Sequence, residues 1–259
     1  MLLADKVALV SGAGPGLGRA IALRFAAEGA RVVVGDVDAA AVADTCTAIG
    51  AAGGAATGLP TDITDAAQCQ ALVDHALGHF GRLDVLVNDA YHGGDFQTFE
   101  DADLANWKAT AEVNIWGTLT LTKAALPALK VSGDAHIVNI CTHGVDLIQP
   151  GFGAYTGSKA ALAHLTQMLA AELGTHGIRV NAVYPGPIWG ANLQGYLDQQ
   201  AAAAGVEPQA MYDEFAAKNS LNRLIRPEEI ASAVAFLASD MATAITGQAL
   251  YVNAGETFH

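Results

Sequence analysis

From one end to the other, the chain alternates between short β-branched runs and longer stretches rich in alanine and leucine. Few architectures tolerate that rhythm. Residues 6–11, 31–36, 55–60, 83–88, 136–141, 179–184 and 249–253 read as strands. Most are apolar at consecutive positions, as strands buried on both faces of a parallel sheet must be. Between them, residues 17–28, 39–49, 66–80, 104–129, 154–173 and 227–239 carry apolar side chains at helical spacing. Such alternation builds right-handed βαβ units, which predicts an α/β fold: a doubly wound, seven-stranded parallel sheet with helices on both faces. Gly29, Gly81 and Gly174 fall just after helices, where a left-handed cap is wanted. No linker, charge block or repeat divides the 259 residues, so a single domain over residues 1–259 is expected. The rhythm breaks once, at 185–224. Trp189, Leu193, Tyr196, Met211, Tyr212 and Phe215 make that segment too apolar for a free loop. It predicts a lid or pocket wall at about 186–224, outside the carboxyl ends of the strands where α/β sheets bind ligands.

Composition narrows the partners. Thirteen Lys and Arg stand against 26 Asp and Glu, a formal charge of −13. A nucleic-acid face, or one for an anionic membrane, needs the opposite balance. No uninterrupted apolar run reaches the roughly 20 residues that span a bilayer. The start shows no basic stretch followed by a long apolar one, so no secretory signal is expected. Cys46, Cys69 and Cys141 form no Cys-x-x-Cys pair and read as reduced thiols. His75 and His79 lack a third ligand and read as a solvated helix face. These features imply a cytoplasmic protein acting on a small molecule, with no nucleic-acid, membrane or metal partner.

The first strand runs into Ser11-Gly12-Ala13-Gly14-Pro15-Gly16-Leu17-Gly18, directly before a helix. Backbone amides and a helix N-terminus can meet a pyrophosphate there. Across Gly12, Gly16 and Gly18 the spacing is Gly-x-x-x-Gly-x-Gly, and a tight turn without ligand is the bland alternative. The second strand ends in Asp36, eighteen residues beyond Gly18. A carboxylate there accepts hydrogen bonds from an adenosine ribose and repels a 2′-phosphate. Residues 37–43 hold no Arg or Lys, so NAD is favoured over NADP. Asp62 and Ile63, after the third strand, would stand beside the adenine, although a surface turn explains Asp62 nearly as well. Further on, Tyr155-Thr156-Gly157-Ser158-Lys159 opens a long helix, with Tyr155 and Lys159 on one face. A phenol with pKa near 10 is a poor acid–base group at neutral pH, and a nearby ammonium would lower it.

In the order of Ser11–Gly18, Asp36, Asp62, Asn88-Asp89-Ala90, Asn114, Tyr155/Lys159, Pro185-Gly186 and Thr246–Gly255, the sequence resembles the short-chain dehydrogenase/reductase family over essentially the whole chain. The resemblance implies a Rossmann-type fold, an NAD(H)-dependent oxidoreductase interconverting a secondary alcohol and its ketone, and a homotetramer. By the same resemblance, Tyr155 is the acid–base, Lys159 lowers its pKa and binds the nicotinamide ribose, and Asn114 holds a relay water. Gly12, Gly14, Gly16, Leu17, Gly18, Asn88 and Ala90 would line the cofactor, and Pro185, Gly186 and Ile188 would flank the nicotinamide.

The chain departs from the family pattern at several positions: Asp89 replaces the second asparagine of the usual Asn-Asn-Ala-Gly, and Asn253-Ala254-Gly255 replaces a more usual Asp-Gly-Gly. Tyr91 stands where a glycine is usual, Thr142 where the catalytic serine is usual, and Gly190 where many relatives have a threonine. Thr142 keeps the hydroxyl that would hold the substrate oxygen. Substrate contacts are expected from Tyr91, His143, Trp189, Leu193, Tyr196 and Met211, and the apolar segment suggests a largely hydrophobic substrate. The aromatics of that segment could equally be satellite core, and His143 could serve as hydrogen-bond donor or second base. Two other functions stay open: a dinucleotide-binding protein that has lost its chemistry, and a non-redox relative that has abandoned the nucleotide.

Overall fold

The computed structural model describes residues 1–258. Seven strands form one parallel sheet: β1 (Val7–Ser11), β2 (Arg31–Asp36), β3 (Ala55–Pro60), β4 (Val85–Asn88), β5 (Ala135–Ile140), β6 (Ile178–Pro185) and β7 (Ala249–Val252). Their spatial order is β3-β2-β1-β4-β5-β6-β7. Helices α1 (Leu17–Ala27), α2 (Ala39–Ala51), α3 (Ala66–Phe80), α4 (Leu104–Ala111), α5 (Thr118–Ser132), α6 (Gly153–Leu173), α7 (Ala191–Ala204), α8 (Pro208–Ala217) and α9 (Pro227–Leu237) complete the chain.

The two faces of the sheet bury separate cores, and β1 shows how. Ala8 and Val10 pack with residues of α1, α2 and α9, among them Ile21, Phe25, Ile49, Ile230 and Val234. Val7 and Leu9 face the other way, onto Leu72 of α3, Leu121 and Leu129 of α5 and Leu173 of α6. Alternate side chains of one strand thus enter opposite layers, and both layers exclude water. That is why the strands read as unbroken apolar runs. The edge strands β3 and β7 are the exceptions and are only partly covered.

Two local expectations are corrected. Residues 104–129 are not one helix, because a π-helical turn over Glu112–Gly117 separates α4 from α5. Gly174 is not a left-handed cap: its φ is −56° and it opens a 3₁₀ turn, so the left-handed residue is Gly177 at φ 72°. The segment expected as a lid folds into α7 and α8, reversing at left-handed Gly205, with Leu197, Ala201 and Ala216 turned inward. Among the described residues no helix is long and apolar enough to cross a membrane. At the amino ends of the strands, Asp134, His136 and Asp240 each offer a ligand atom within 4.8 Å of the others. Lys6 pairs with Asp134 and lies 3.9 Å from Asp240, so this acidic group is neutralised from within the chain.

Candidate active site

Strand β1 pairs with β2 on one side and β4 on the other, Ser11 lying opposite Gly35 and Asn88. The strand order reverses there, which opens a crevice at the carboxyl ends. The glycines that enter it do different jobs. A Cβ on Gly12 would stand 2.5 Å from the Ala90 amide nitrogen, and one on Gly18 would stand 2.0 Å from the Gly12 carbonyl oxygen. Both therefore close the loop against its neighbours. Gly16 instead adopts φ 132° with nothing within 4 Å of where a Cβ would sit. It caps α1 without a side chain, and the first turn beginning at Leu17 carries no acidic residue. An open glycine and an uncapped helix N-terminus make a cradle for an anion.

Asp36 flanks that cradle and is not merely a solvated strand end. Its Oδ2 accepts the Gly14 N–H at 2.9 Å and its Oδ1 the Asp38 N–H at 3.0 Å, so two amides aim the carboxylate at the loop. Asp62 is engaged in a surface turn, accepting from the Thr64 amide and hydroxyl at 2.9 and 2.7 Å. Ile63 is buried against Gly117, where a Cβ would meet it at 2.7 Å. Cradle and oriented carboxylate together fit a dinucleotide with an unphosphorylated adenosine ribose.

The Asn88 side chain is engaged within the fold. Its amide group donates to Thr122 Oγ1 at 3.1 Å and Asn139 Oδ1 at 2.8 Å, and Asn139 in turn reaches Thr166 at 2.9 Å. The side chain thus knits β4 and β5 to α5 and α6, because a buried amide must find partners. Beside it lies a residue that motif reasoning passed over. Asp89 is buried, its Oδ2 standing 2.7 Å from the position of a Gly18 Cβ. Burial pushes its carboxyl up to about 7, with Lys159 and the Gly18 amide pulling the other way. The available signal was an acid in place of the family's second asparagine.

Tyr155 and Lys159 project from the first turns of α6. Burial raises the Tyr155 phenol above its ordinary range and the Tyr91 ring adds to this, while the Thr142 hydroxyl pulls it down. The Lys159 ammonium, 2% exposed, donates to the Ile140 carbonyl at 2.6 Å, and burial lowers its own pKa. Tyr91 stands between the two, its ring 6.1 Å from that of Tyr155 and edge-on, with Lys159 Nζ 5.9 Å from its centroid. Its φ is not positive, so the tyrosine replaces the usual glycine without backbone strain.

Asn114 lies in the π-helical turn, completely buried. Its Oδ1 accepts the His92 N–H at 2.7 Å, and its Nδ2 donates to the His92 carbonyl at 3.0 Å and to Ser158 Oγ at 2.9 Å. The Ser158 hydroxyl donates to the Tyr155 carbonyl at 2.7 Å, so Asn114 ties the loop after β4 to the turn bearing Tyr155 and Lys159. His92 and Ser158 carried no motif of their own. π-turns recur where a helix must re-aim one side chain. Thr142 follows β5 and accepts the Gly144 N–H at 3.1 Å, capping the 3₁₀ turn His143–Asp146. A hydroxyl so used still has its O–H to donate.

His143 does not line the substrate space as expected. It is 7% exposed, with Nδ1 2.8 Å from the Pro185 carbonyl and Nε2 2.9 Å from Glu256 Oε2. The ring is thus turned toward Pro185 and Glu256. Gly186 has no room for a side chain, since a Cβ would come within 2.8 Å of Ile225 and 2.9 Å of Asn253. Ile188 bridges Ile225, and Trp189 donates its amide to the Ile225 carbonyl at 2.7 Å. Trp189 then packs edge-on against Tyr212, centroids 4.9 Å apart, and Tyr196 packs against Phe215 at 6.3 Å. Leu193 and Met211 are half-buried and Tyr196 is 44% exposed, while Gly190 caps α7.

Residues 12–257 match the family model described as enoyl-(acyl carrier protein) reductase. The chain is 37% identical to the cis-4-hydroxycyclohexanecarboxylate dehydrogenase of Sinomonas cyclohexanicum, over 98% of this chain and 97% of that one. Among solved structures, an NAD⁺-bound xylitol dehydrogenase superposes with a TM-score of 0.92 at 27% identity, covering 98% of this chain and all of that one. A carveol dehydrogenase from Mycobacterium avium in complex with NAD does so with a TM-score of 0.92 at 28% identity, covering 98% of each. With the full length matched in sequence and in fold, the chain belongs to the short-chain dehydrogenase/reductase family, as an NAD-dependent oxidoreductase acting on CH–OH groups.

Proposed function

We propose that the enzyme interconverts a secondary alcohol of largely apolar, cyclic body with its ketone, using Tyr155, Lys159, Thr142 and Asn114. One observation carries this reading. The Tyr155 phenol is hydrogen-bonded by the Thr142 hydroxyl, and one turn along the same helix the Lys159 ammonium is buried on the Ile140 carbonyl at the end of β5. Gly12, Gly14, Gly16, Leu17, Gly18, Asp36, Ile63 and Ala90 would hold the adenosine and pyrophosphate, with Pro185, Gly186 and Ile188 at the nicotinamide. The side chains of Asp62 and Asn88 act there through the turns and strands they fasten. When bound, NAD supplies the hydride acceptor and a positive charge near the phenol.

Burial alone leaves the phenol a weak base. Positive charge from Lys159 and the oxidised ring must offset that burial before Tyr155 can take the alcohol proton. Thr142 donates to the substrate oxygen as charge develops on it. Lys159 would hold the nicotinamide ribose and give the proton an onward path, with Asn114 fixing the His92 backbone beside it. Tyr91, Trp189, Leu193, Tyr196 and Met211 form the apolar wall. Two relatives are named for cyclic compounds carrying a secondary alcohol, which supports the class.

Purified enzyme supplied with NAD and a panel of cyclic and acyclic secondary alcohols should produce NADH fastest with cyclic, apolar members. Turnover restricted to acyclic polyols would overturn the substrate class. The same reading makes the working protein a cytoplasmic homotetramer, with exposed Leu104 and Trp116 covered between copies. Light scattering that gave a mass near 26.5 kDa would reject the tetramer.

A further inference from the structure

His143 adjoins Thr142 yet has no part in the proton path above. Its two ring nitrogens face the Pro185 carbonyl at 2.8 Å and the Glu256 carboxylate at 2.9 Å. A carbonyl and a carboxylate both suit acceptance, so this placement favours a ring that carries a hydrogen on each nitrogen. We propose that the His143–Glu256 pair is a clamp by which the segment after β7 positions the nicotinamide wall, making both of them positioning residues. This rests on the reading that Pro185 and Gly186 border the nicotinamide.

Three separate pieces of chain meet at this ring. His143 follows Thr142 at the end of β5, Pro185 closes β6 just before Gly186, and Glu256 lies four residues beyond β7. The turn that carries Glu256 is itself fastened to the far end of the wall segment. The Ser220 amide and hydroxyl donate to the Gly255 carbonyl at 3.1 and 2.9 Å, and the Leu221 amide to the Ala254 carbonyl at 3.1 Å. Gly186 closes the corner, donating its N–H to Val252 at 3.0 Å and packing against Asn253. Glu256 therefore anchors a corner shared by the oxyanion strand, the nicotinamide strand and the apolar wall.

Energetics favour a positioning role over a stabilising one. The desolvation of a buried ion pair offsets most of its attraction, so the pair adds little net stability but fixes geometry strongly. Burial works against the charged ring, while Glu256, the Pro185 carbonyl and Asp146 raise its pKa above the ordinary histidine value. Among the described residues, the charged groups facing the ring are Glu256 from the segment after β7 and Asp146 from its own turn. Tyr251 of β7 donates to Asp146 at 2.6 Å.

NADH and ADP-ribose, which lacks the nicotinamide, separate this role from general loosening. Glu256→Ala should weaken NADH by roughly 5- to 20-fold, about one charge-assisted hydrogen bond partly transmitted, and leave ADP-ribose within about twofold. Glu256→Gln, which keeps an acceptor, should recover part of the loss. His143→Gln should reproduce it, and the double variant should be no worse than either single one. The NADH deficit should be full at pH 6 and shrink toward pH 9 as the wild-type ring loses its proton. Equal weakening of both ligands, losses that add in the double variant, or unchanged affinities with a lowered Tm would each overturn the clamp. Failure of every secondary alcohol in the substrate panel would overturn the proposed substrate class and leave this comparison standing.

Discussion

The two sides of the crevice are built by different means. On the β1–β2 side recognition is a property of the backbone: an open glycine, an uncapped helix N-terminus and a carboxylate aimed by two amides. On the proposed substrate side it would rest on side chains drawn from distant segments, with Tyr91 after β4, Thr142 after β5, Trp189 after β6 and Glu256 after β7 as its pieces. Backbone recognition tolerates little change, since a Cβ at Gly12 or Gly18 would collide with main chain. Side-chain recognition can be altered one residue at a time without unfolding the sheet. Of the departures from the family pattern, Thr142 and Gly190 fall on the second side and Tyr91 near it, whereas Asp89 stands against Gly18 on the first.

Substitutions at four positions test that division. Tyr155→Phe should cost the most, roughly 10²- to 10⁴-fold in kcat, because it removes the proposed proton-transfer group alone. NADH affinity measured by fluorescence should hardly move, since the backbone side remains intact. Substantial residual turnover would shift the acid–base role to another group.

Thr142 comes next, where chemistry and shape oppose each other. Thr142→Val keeps the volume and removes the donor, a loss on the order of 10²- to 10³-fold in rate for an oxyanion contact. Thr142→Ser keeps the donor and should stay active. Initial rates in the opposite order would mean that the residue only packs and caps the turn at His143.

Asp36→Ala probes the first side. Losing one hydrogen-bonding carboxylate should reduce the NAD preference over NADP by roughly 10- to 100-fold. Ratios of kcat/KM for the two cofactors would reveal it, and equal efficiency in the unmodified enzyme would refute the assignment. The smallest effect concerns Asp89, whose carboxyl is raised to about 7 by burial. A carboxyl raised in the folded state binds more protons folded than unfolded, so it costs stability as pH rises from about 4 to 7. Asp89→Asn should therefore raise Tm by a few degrees at pH 8 and by little at pH 4. A gain of the same size at both pH values would break the link to titration.

Much of this was legible beforehand for definite reasons. The alternation of apolar runs and amphipathic stretches identified every strand of the sheet, because strands covered on both faces have no alternative composition. The glycine loop and Asp36 could be read because their function depends on main-chain geometry that few residues permit. The π-turn around Asn114 could not. Residues 104–129 have uninterrupted helical periodicity, and only the bonds to His92 and Ser158 explain the extra residue in the turn. His143 misled for a similar reason: adjacency to Thr142 suggested the substrate space, whereas a neighbour 113 positions away in sequence claims the ring.

By itself, then, the sequence determined the layered sheet, the anion cradle and the helical step joining Tyr155 to Lys159. Each follows from periodicity or from steric rules acting over a few residues. Only the tertiary structure decided the state of the charges. Lys159 donates to the Ile140 carbonyl, Asp89 is buried at the mouth of α1, and His143 is pinned between Pro185 and Glu256. Protonation and hydrogen-bond choice depend on desolvation and on partners brought from across the chain. Those are long-range properties that no local pattern encodes.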